Sequence, residues 1–185
     1  TSVTRDDLPD GGAGHFASTV HAIRNKLPDA NIEVLTPDFR GNIGALMVVL
    51  SSLPDIFGHN VETVPRLYPV VRNRADYTRS LRVLKYVKEM MPDMHTKSGF
   101  MLGLGETLDE VTDVLNDLCN TGCDSVTMGQ YLRPSRKNLQ VVEYIRPEIF
   151  DRLRNIAIDM GFTYVASSPL VRSSLDAEEM FAGVN

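Results

Sequence analysis

Polar side chains and glycines occur together in several parts of this sequence, and residues of these types could bind or activate a ligand. They occupy residues 5–7 with 11–12, 38–40, 59–63, 103–106 and 129–131. Each group comes directly after a run of residues that is typical of a strand. A lone glycine at such a position is most often required by a turn, but the repeated placement favours one shared site.

Asn60 and Glu62 carry groups that could bind a nucleoside. A carboxylate such as that of Glu62 accepts hydrogen bonds from ribose hydroxyls, and the amide of Asn60 can both donate and accept. The simplest alternative for this pair is a polar turn that binds nothing. The residues alone leave both interpretations open.

Glycines also interrupt the stretch 97–106, at Gly99, Gly103 and Gly105. Because glycine has no Cβ, a planar ligand such as adenine could approach the main chain here. Glu106 could contact that ligand, or it could cap the helix that follows by complementing the helix dipole. The spacing is not G-x-G-x-x-G, so a dinucleotide fingerprint is not indicated.

Other kinds of site find little support in the sequence. The four histidines are not spaced as a metal-binding pair, and neither HExxH nor GxSxG occurs. The two cysteines, Cys119 and Cys123, are predicted to be buried structural thiols, and so sparse a set fits a reducing compartment. The triplet 172–174, Arg-Ser-Ser, has a turn or a phosphate clamp as its ordinary interpretation.

Short β-branched runs alternate with segments of helical period, which is the pattern of a parallel sheet covered by helices. Strands are predicted over residues 1–4, 32–36, 56–60, 95–102, 126–131 and 163–166, and helices over residues 17–27, 43–53, 77–91, 107–121 and 147–160. Residues 63–73 are predicted to be irregular. An α/β barrel and a doubly wound sheet both fit this order. In either fold, chemistry belongs at the carboxyl ends of the strands.

The composition limits the class of protein. With 185 residues, 43% hydrophobic residues and 23% charged residues, the chain is predicted to form one domain over residues 1–185, with a flexible acidic tail at 176–185. A net charge of −5 gives no support for binding nucleic acid or an anionic membrane. No apolar run is long enough to span a bilayer, so a cytoplasmic or organelle-matrix location is expected.

Seven of these stretches, taken together, resemble the lipoyl synthase family in order and spacing, from residue 1 to about residue 176. They are residues 1–13 (TSVTRDDLPDGGA), 37–39 (PDF), 59–63 (HNVET), 97–99 (KSG), 103–106 (GLGE), 129–132 (GQYL) and 171–174 (VRSS). Gly99, Gly103 and Glu106 also match the G-x-I-x-G-x-x-E strand of radical S-adenosylmethionine enzymes, with Met101 in place of the isoleucine.

This resemblance implies a partial (β/α) TIM-like barrel that inserts two sulfur atoms into an octanoyl chain carried on a lysine. In that family, one [4Fe-4S] cluster cleaves S-adenosylmethionine to a 5′-deoxyadenosyl radical, and a second, auxiliary cluster donates the sulfur. The implied partners are octanoylated lipoyl carrier domains, namely the E2 subunits of 2-oxoacid dehydrogenases and the glycine cleavage H protein. Flavodoxin or ferredoxin is the implied electron donor.

The resemblance also implies roles for particular residues. Gly11 and Gly12 would meet the methionyl amine of S-adenosylmethionine, and Asn60 and Glu62 its methionyl or ribosyl groups. The adenosine side would contact Gly103, Gly105, Glu106 and Gln130. Ser174 would be an oxygen ligand of the auxiliary [4Fe-4S] cluster, with Arg172 beside it. No catalytic residue is assigned.

Two departures from the family pattern affect these expectations. Leu175 stands where the family motif R-S-S-Y has tyrosine, and the family's C-x-x-x-C-x-x-C loop and second cysteine trio are absent from this sequence. The chain is therefore expected to be the C-terminal part of such an enzyme, without its first barrel strand, and to be inactive alone. The alternatives are a sulfur-inserting enzyme of the biotin synthase type and a cluster-free binding module. The R-S-S triplet and the D-D-L-P-D-G-G opening argue against the biotin synthase type.

Overall fold

A computed structural model describes residues 1–173 and contains one five-stranded sheet in which every neighbouring pair of strands is parallel. The strands are β1 (Glu33–Leu35), β2 (Ile56–Gly58), β3 (His95–Leu102), β4 (Ser125–Gln130) and β5 (Tyr164–Ser167). They lie in the order of the sequence. A doubly wound sheet would reverse its strand order at a switch point, whereas an unbroken order is that of a barrel wall. The predicted α/β class with a partial barrel is confirmed.

Six α-helices connect or precede these strands in the described residues. They are α1 (Ala13–Lys26), α2 (Ile43–Leu50), α3 (Tyr68–Val71), α4 (Tyr77–Met90), α5 (Leu108–Asn120) and α6 (Pro147–Asp159). Two single 3-10 turns, Phe39–Gly41 and Pro65–Leu67, complete the set. None of the helices in this part of the chain is long and apolar enough to cross a membrane.

Local chemistry explains where several helices begin and end. The Asp76 carboxylate accepts a hydrogen bond from the Arg79 amide at 2.7 Å, so Asp76 is the N-cap of α4 as predicted. Thr107 and Glu110 form a capping box at the start of α5. Gly122, with φ +80°, follows the last turn of that helix as predicted. Pro147 opens α6, where its missing N–H costs nothing.

The two faces of the central strands have opposite compositions because side chains alternate along a strand. Phe100 and Leu102 of β3 and Val126 and Met128 of β4 belong to a buried apolar cluster with α5 and α6. A second cluster joins β1 and β2 to α1, α2 and α4. The alternating positions 97 and 99 of β3 and 127 and 129 of β4 face the other side and form the inner wall on which the site is built.

Three predictions about local structure are wrong. Residues 1–5 form no strand, and Val3 is 77% exposed. A strand needs a neighbour for its backbone groups, but this segment turns instead, with the Leu8 amide donating to the Arg5 carbonyl. Residues 63–73 are not irregular, because Pro65 and Pro69 fix φ at the starts of two short helical turns.

Cys119 is the third error, since the thiol predicted to be buried is exposed. The buried residues of α5 are Val111, Val114, Leu115 and Leu118, whereas Cys119 lies in the last turn of the helix and donates to the Met160 carbonyl at 3.3 Å. Cys123 is buried as predicted, and burial raises the pKa of its thiol to about 12. The predicted tail, residues 176–185, lies outside the described residues.

Packing of α5 against the sheet gives the first prediction. Leu115 is completely buried, whereas Leu108 on the same helix is 39% exposed. We expect Leu115→Ala to lower the free energy of unfolding by about 2–5 kcal/mol, through lost transfer energy and a residual cavity. Leu108→Ala is the matched control and should cost less than about 1 kcal/mol. Urea denaturation measures both, and equal losses would contradict the described orientation of α5.

Candidate active site

A cavity of about 170 Å³ opens at the carboxyl ends of β2, β3 and β4. Parts of the chain that are far apart in sequence meet there, as the ends of parallel strands must. Its lining comprises Asn60, Glu62, Gly99, Phe100, Met101, Thr127, Gly129, Gln130, Leu132, Val171, Arg172 and Ser173. Three of the eight residues predicted to contact S-adenosylmethionine, Asn60, Glu62 and Gln130, therefore lie around one cavity.

Two glycines on the inner wall make room for this cavity and for what crosses it. A Cβ on Gly99 would lie 2.3 Å from the Thr127 hydroxyl, and a Cβ on Gly129 would lie 2.3 Å from the Val171 carbonyl oxygen. Neither separation is sterically possible for real atoms. Gly99 therefore allows Thr127 to reach across the wall, and Gly129 allows the chain at Val171 to pass close over β4.

Glu62 is held beside this wall by its own backbone. Its amide donates to the Gly99 carbonyl and its carbonyl accepts from the Met101 amide, both at 2.9 Å, so it extends the sheet past the end of β2. Its φ of +67° is an unusual conformation for a residue with a side chain. Strained residues of this kind occur often at functional sites.

The electrostatic setting of Glu62 is also unusual. Burial raises the pKa of its carboxyl group, and the nearby charge of Arg72 and a hydrogen bond with Asn60 only partly oppose that effect. Removing a carboxylate from water without full compensation costs free energy. The charged form of Glu62 is therefore disfavoured in this structure, and ligand hydroxyl groups that donate to the carboxylate would favour it.

Asn60 connects the end of β2 to the last described segment of the chain. Its side-chain nitrogen donates to the Ser173 hydroxyl at 2.9 Å, and its main-chain carbonyl accepts from the Arg72 side chain at 3.2 Å. The two residues joined by the amide hydrogen bond are 113 positions apart. The segment 171–173 is thus fixed over one side of the cavity.

Lys97, on β3, also contacts segment 171–173. Its side chain is 3% exposed, and its ammonium group donates to both carboxylate oxygens of Glu33, at 3.0 and 3.1 Å. A third hydrogen bond, of 2.5 Å, goes to the Ser173 carbonyl. The pair links β1 to β3 across the inner wall, and it ties both strands to the segment that crosses the cavity.

Gln130 uses its side chain to organise a loop, although it also lines the cavity. Its amide nitrogen donates to the carbonyls of Tyr131 and Glu143 at 3.1 Å, and its amide oxygen accepts from the Ile145 amide at 2.9 Å. Gly103 packs against the same group, since a Cβ there would lie 2.2 Å from the Gln130 nitrogen. Both residues have a structural explanation that the sequence did not reveal.

Gly105 and Glu106 belong to the turn between β3 and α5, and neither lines this cavity. The Glu106 carboxylate accepts from the amides of Gly103 and Leu104, at 2.5 and 2.9 Å. It therefore closes the turn, while Thr107 caps the helix. Gly105, with φ +100°, allows that turn, and its carbonyl accepts from Arg66 at 2.7 Å.

Gly11 and Gly12 are not among the residues that line the main cavity. Gly11 borders a separate, smaller hollow of about 60 Å³ with Asp38 and Phe39. Gly12 precedes α1 with φ +90°, and its amide donates to the Asp10 carboxylate at 2.9 Å. The structure explains both glycines by the turn into α1 and does not bring them together with Asn60 and Glu62.

No group of three or more His, Cys, Asp or Glu side chains within residues 1–173 is arranged to hold a metal ion. Iron–sulfur clusters are held mainly by several cysteine thiolates, but this sequence has only two cysteines. These residues do not fit an iron–sulfur cluster. Ser174, the predicted oxygen ligand, lies outside the described residues.

The sequence analysis did not predict a role in the site for Thr127, Val171 or the Lys97–Glu33 pair. A signal for Thr127 was present, because in β4 it shares the inner face with Gly129 while Val126 and Met128 pack into the core. The contacts of Lys97 with Glu33 and Ser173 left no local signal, since the partners are 64 and 76 positions away.

Comparisons with known proteins identify the family to which the chain is similar. Residues 1–118 match the family model described as the Radical SAM superfamily. The chain is 57% identical over 178 residues to "Lipoyl synthase" of Caldanaerobacter subterraneus subsp. tengcongensis, covering 96% of this chain and 62% of that protein. It is 56% identical over 179 residues to "Lipoyl synthase" of Caldicellulosiruptor saccharolyticus, covering 97% and 63%. The chain thus spans somewhat less than two thirds of the length of these relatives.

A solved structure supports the fold alone. The crystal structure of hydroxymethylglutaryl-CoA lyase from Pseudomonas aeruginosa aligns with a TM-score of 0.52 at 18% identity, covering 78% of this chain and 46% of that one. The family model covers more than half of the chain and includes β1, β2, β3 and most of α5. On this evidence, the chain belongs to the radical SAM superfamily.

Proposed function

We propose that the full-length protein is a lipoyl synthase, which inserts two sulfur atoms into an octanoyl chain on a lysine of a carrier domain. One observation carries the proposal. Stretches 59–63, 97–99, 129–132 and 171–173, which resemble that family in sequence, converge on one cavity. Relatives with that name, 56 and 57% identical over nearly the whole chain, support the same assignment.

The cavity fits the nucleoside part of S-adenosylmethionine. Gly99 and Gly129 line one wall of the cavity, where their small size allows Thr127 and Val171 to pack closely, and Glu62 offers a partly buried carboxylate to ribose hydroxyls. Asn60 would add an amide on the same side. These residues would hold S-adenosylmethionine, which would supply the radical chemistry that removes hydrogen from the octanoyl chain.

The residues of this chain would bind and orient the ligand, and they would exclude water from it. Burial of Glu62 creates a site that gains from ligand donors, because the carboxylate has lost its hydration. Lys97 and Asn60 keep segment 171–173 over the cavity by their hydrogen bonds to Ser173. We infer that this segment shields reacting groups from solvent. Gly103, Gly105, Glu106 and Gln130 would then shape the adenosine side indirectly, through the turn and loop that they stabilise.

Two [4Fe-4S] clusters are proposed for the full-length protein, but their cysteines are not residues of this chain. They would come from the part of the relatives' length that this chain does not span, so the chain alone is proposed to be inactive. Ser174 would add an oxygen ligand to the auxiliary cluster, with Arg172 nearby. Gly11 and Gly12 are proposed to bind the methionyl amine only if the turn before α1 rearranges when the ligand binds.

The proposed substrates are octanoylated lipoyl carrier domains, such as E2 subunits of 2-oxoacid dehydrogenases and the glycine cleavage H protein. Flavodoxin or ferredoxin would supply electrons. These partners, and a cytoplasmic or organelle-matrix location, follow from the proposed activity.

Lipoyl formation tests the proposal directly. Full-length protein, purified without oxygen and with its clusters reconstituted, should convert an octanoylated carrier domain to the lipoyl form and contain about eight irons per chain, the content of two four-iron clusters. Ser174→Ala should lose product, whereas Ser18→Ala, an exposed serine on α1, should retain it. Mass spectrometry of the carrier domain measures the product. An iron content of one cluster or none, with no sulfur inserted, would contradict the proposal and favour a related radical enzyme or a binding protein.

Glu62→Gln should have opposite effects on binding and stability. The amide cannot replace a charged acceptor, so affinity for S-adenosylmethionine should fall about tenfold, the equivalent of a lost hydrogen bond to a charged group. The pKa of Glu62 is raised above its ordinary value of 4.5. The protonated carboxyl group therefore contributes its full stability to the fold below pH 4.5, and this contribution is lost as the pH rises through the raised pKa.

The neutral amide lacks that loss, so the variant should melt at a higher temperature than the wild type at pH 8, and the difference should shrink near pH 4. Isothermal titration calorimetry and thermal denaturation measure the two effects. Glu89→Gln, an exposed position on α4, is the control and should change neither. Unchanged affinity in Glu62→Gln would remove Glu62 from the proposed site.

A further inference from the structure

The connection between β4 and α6, residues 131–146, presents an unusual surface beside the cavity. Every residue from 132 to 140 and from 142 to 144 is exposed. The connection begins directly after Gln130 and includes Leu132, both of which line the cavity. We call residues 131–146 the β4–α6 loop.

The β4–α6 loop is held in one shape by its own hydrogen bonds. The Tyr131 hydroxyl donates to the Leu139 carbonyl at 3.0 Å, which folds the first half back on itself. Arg133 donates to the Asn138 carbonyl at 2.8 Å inside that fold. The second half is fixed to the site, since the Val142 amide donates to the Gly103 carbonyl at 2.9 Å. A loop held in this way presents its exposed side chains in a defined arrangement.

Several of those exposed side chains are large and apolar. Val142 is 68% exposed, Tyr144 71% and Leu132 47%. The buried clusters that hold the fold together include none of these side chains. Apolar side chains grouped on one ordered loop are typical of a surface that binds a partner, and tyrosine is enriched at such interfaces.

The same loop carries a local positive charge in a protein with a net charge of −5. Its basic residues are Arg133, Arg136, Lys137 and Arg146, and its acidic residue is Glu143. The side chains of Arg136 and Lys137 form no hydrogen bond or ion pair with any part of the chain that the structure describes. Unpaired charges of one sign steer a partner of the opposite sign and raise its association rate.

We propose that the β4–α6 loop is the docking surface for the protein that carries the acyl chain, and that this partner meets it with an acidic surface. The inference rests on the proposed function and adds where the carrier binds. Leu132 belongs to both the loop and the cavity lining, so a carrier docked on the loop would lie at the cavity mouth. An acyl-lysine on that carrier could then reach the cavity mouth, next to the proposed nucleoside site, while the partner's acidic groups face Arg136 and Lys137.

Charge reversal in the full-length, cluster-loaded protein tests the proposal. Arg136→Glu with Lys137→Glu should raise the KM for an octanoylated carrier domain at least tenfold at low salt. It should leave kcat and KM for a short, uncharged octanoyl-lysyl peptide unchanged, because the cavity is intact. The KM difference between variant and wild type should shrink as salt is added.

The matched control is Arg152→Glu with Arg154→Glu, the same charge change at exposed positions on α6. It should leave the KM for the carrier domain near the wild-type value. Tyr144→Ser should also raise the KM for the carrier domain. Unlike the increase in the charge-reversal variant, this increase should not shrink as salt is added. If wild-type protein forms lipoyl product but both loop variants behave like the control, the docking proposal is overturned. If the wild type forms no product from carrier or peptide, the proposed function itself fails.

Discussion

The ammonium group of Lys97 lies buried on the inner face of the sheet, with its neutralising carboxylate, Glu33, on another strand. A buried charge is tolerated only when it is paired and its donors are used, and here the third acceptor is the Ser173 carbonyl. The arrangement of β1, β3 and segment 171–173 is therefore coupled, since movement of any one removes a hydrogen-bond partner from a buried ion pair. The cavity lies where this coupled set meets the end of β2.

The inner wall differs from an ordinary core because it has less apolar packing, more open space and more polar contacts. On the helix-facing side, Phe100, Val126 and Met128 fill a close-packed cluster. On the opposite side, Gly99 and Gly129 leave gaps that Thr127 and the chain at Val171 enter. The residual volume, with Glu62 at its edge, is what a ligand could use. Stability thus comes from one face of the strands and binding from the other.

The sequence predicted most of the elements because they depend on local patterns, and the candidate site was expected at the carboxyl ends of the strands because of the fold class. Alternation, Asp76 as a cap and Pro147 at a helix start were enough for the strands and most helices. The contacts that each side chain makes were not predictable in this way. The side-chain amide of Gln130 donates to loop carbonyls, and the carboxylate of Glu106 closes a turn. Gly11 and Gly12 serve the turn into α1, because the Gly11 amide donates to the Leu8 carbonyl and the Gly12 amide donates to the Asp10 carboxylate.

The location of the nucleoside site is the central claim, and a crystal structure of the full-length protein with S-adenosylmethionine tests it most directly. We expect the adenosyl group in the cavity between Gly99 and Gly129, with ribose hydroxyls donating to the Glu62 carboxylate and segment 171–173 still bound to Lys97. Adenosyl density outside this cavity, or a Glu62 side chain with no ligand contact, would contradict the claim.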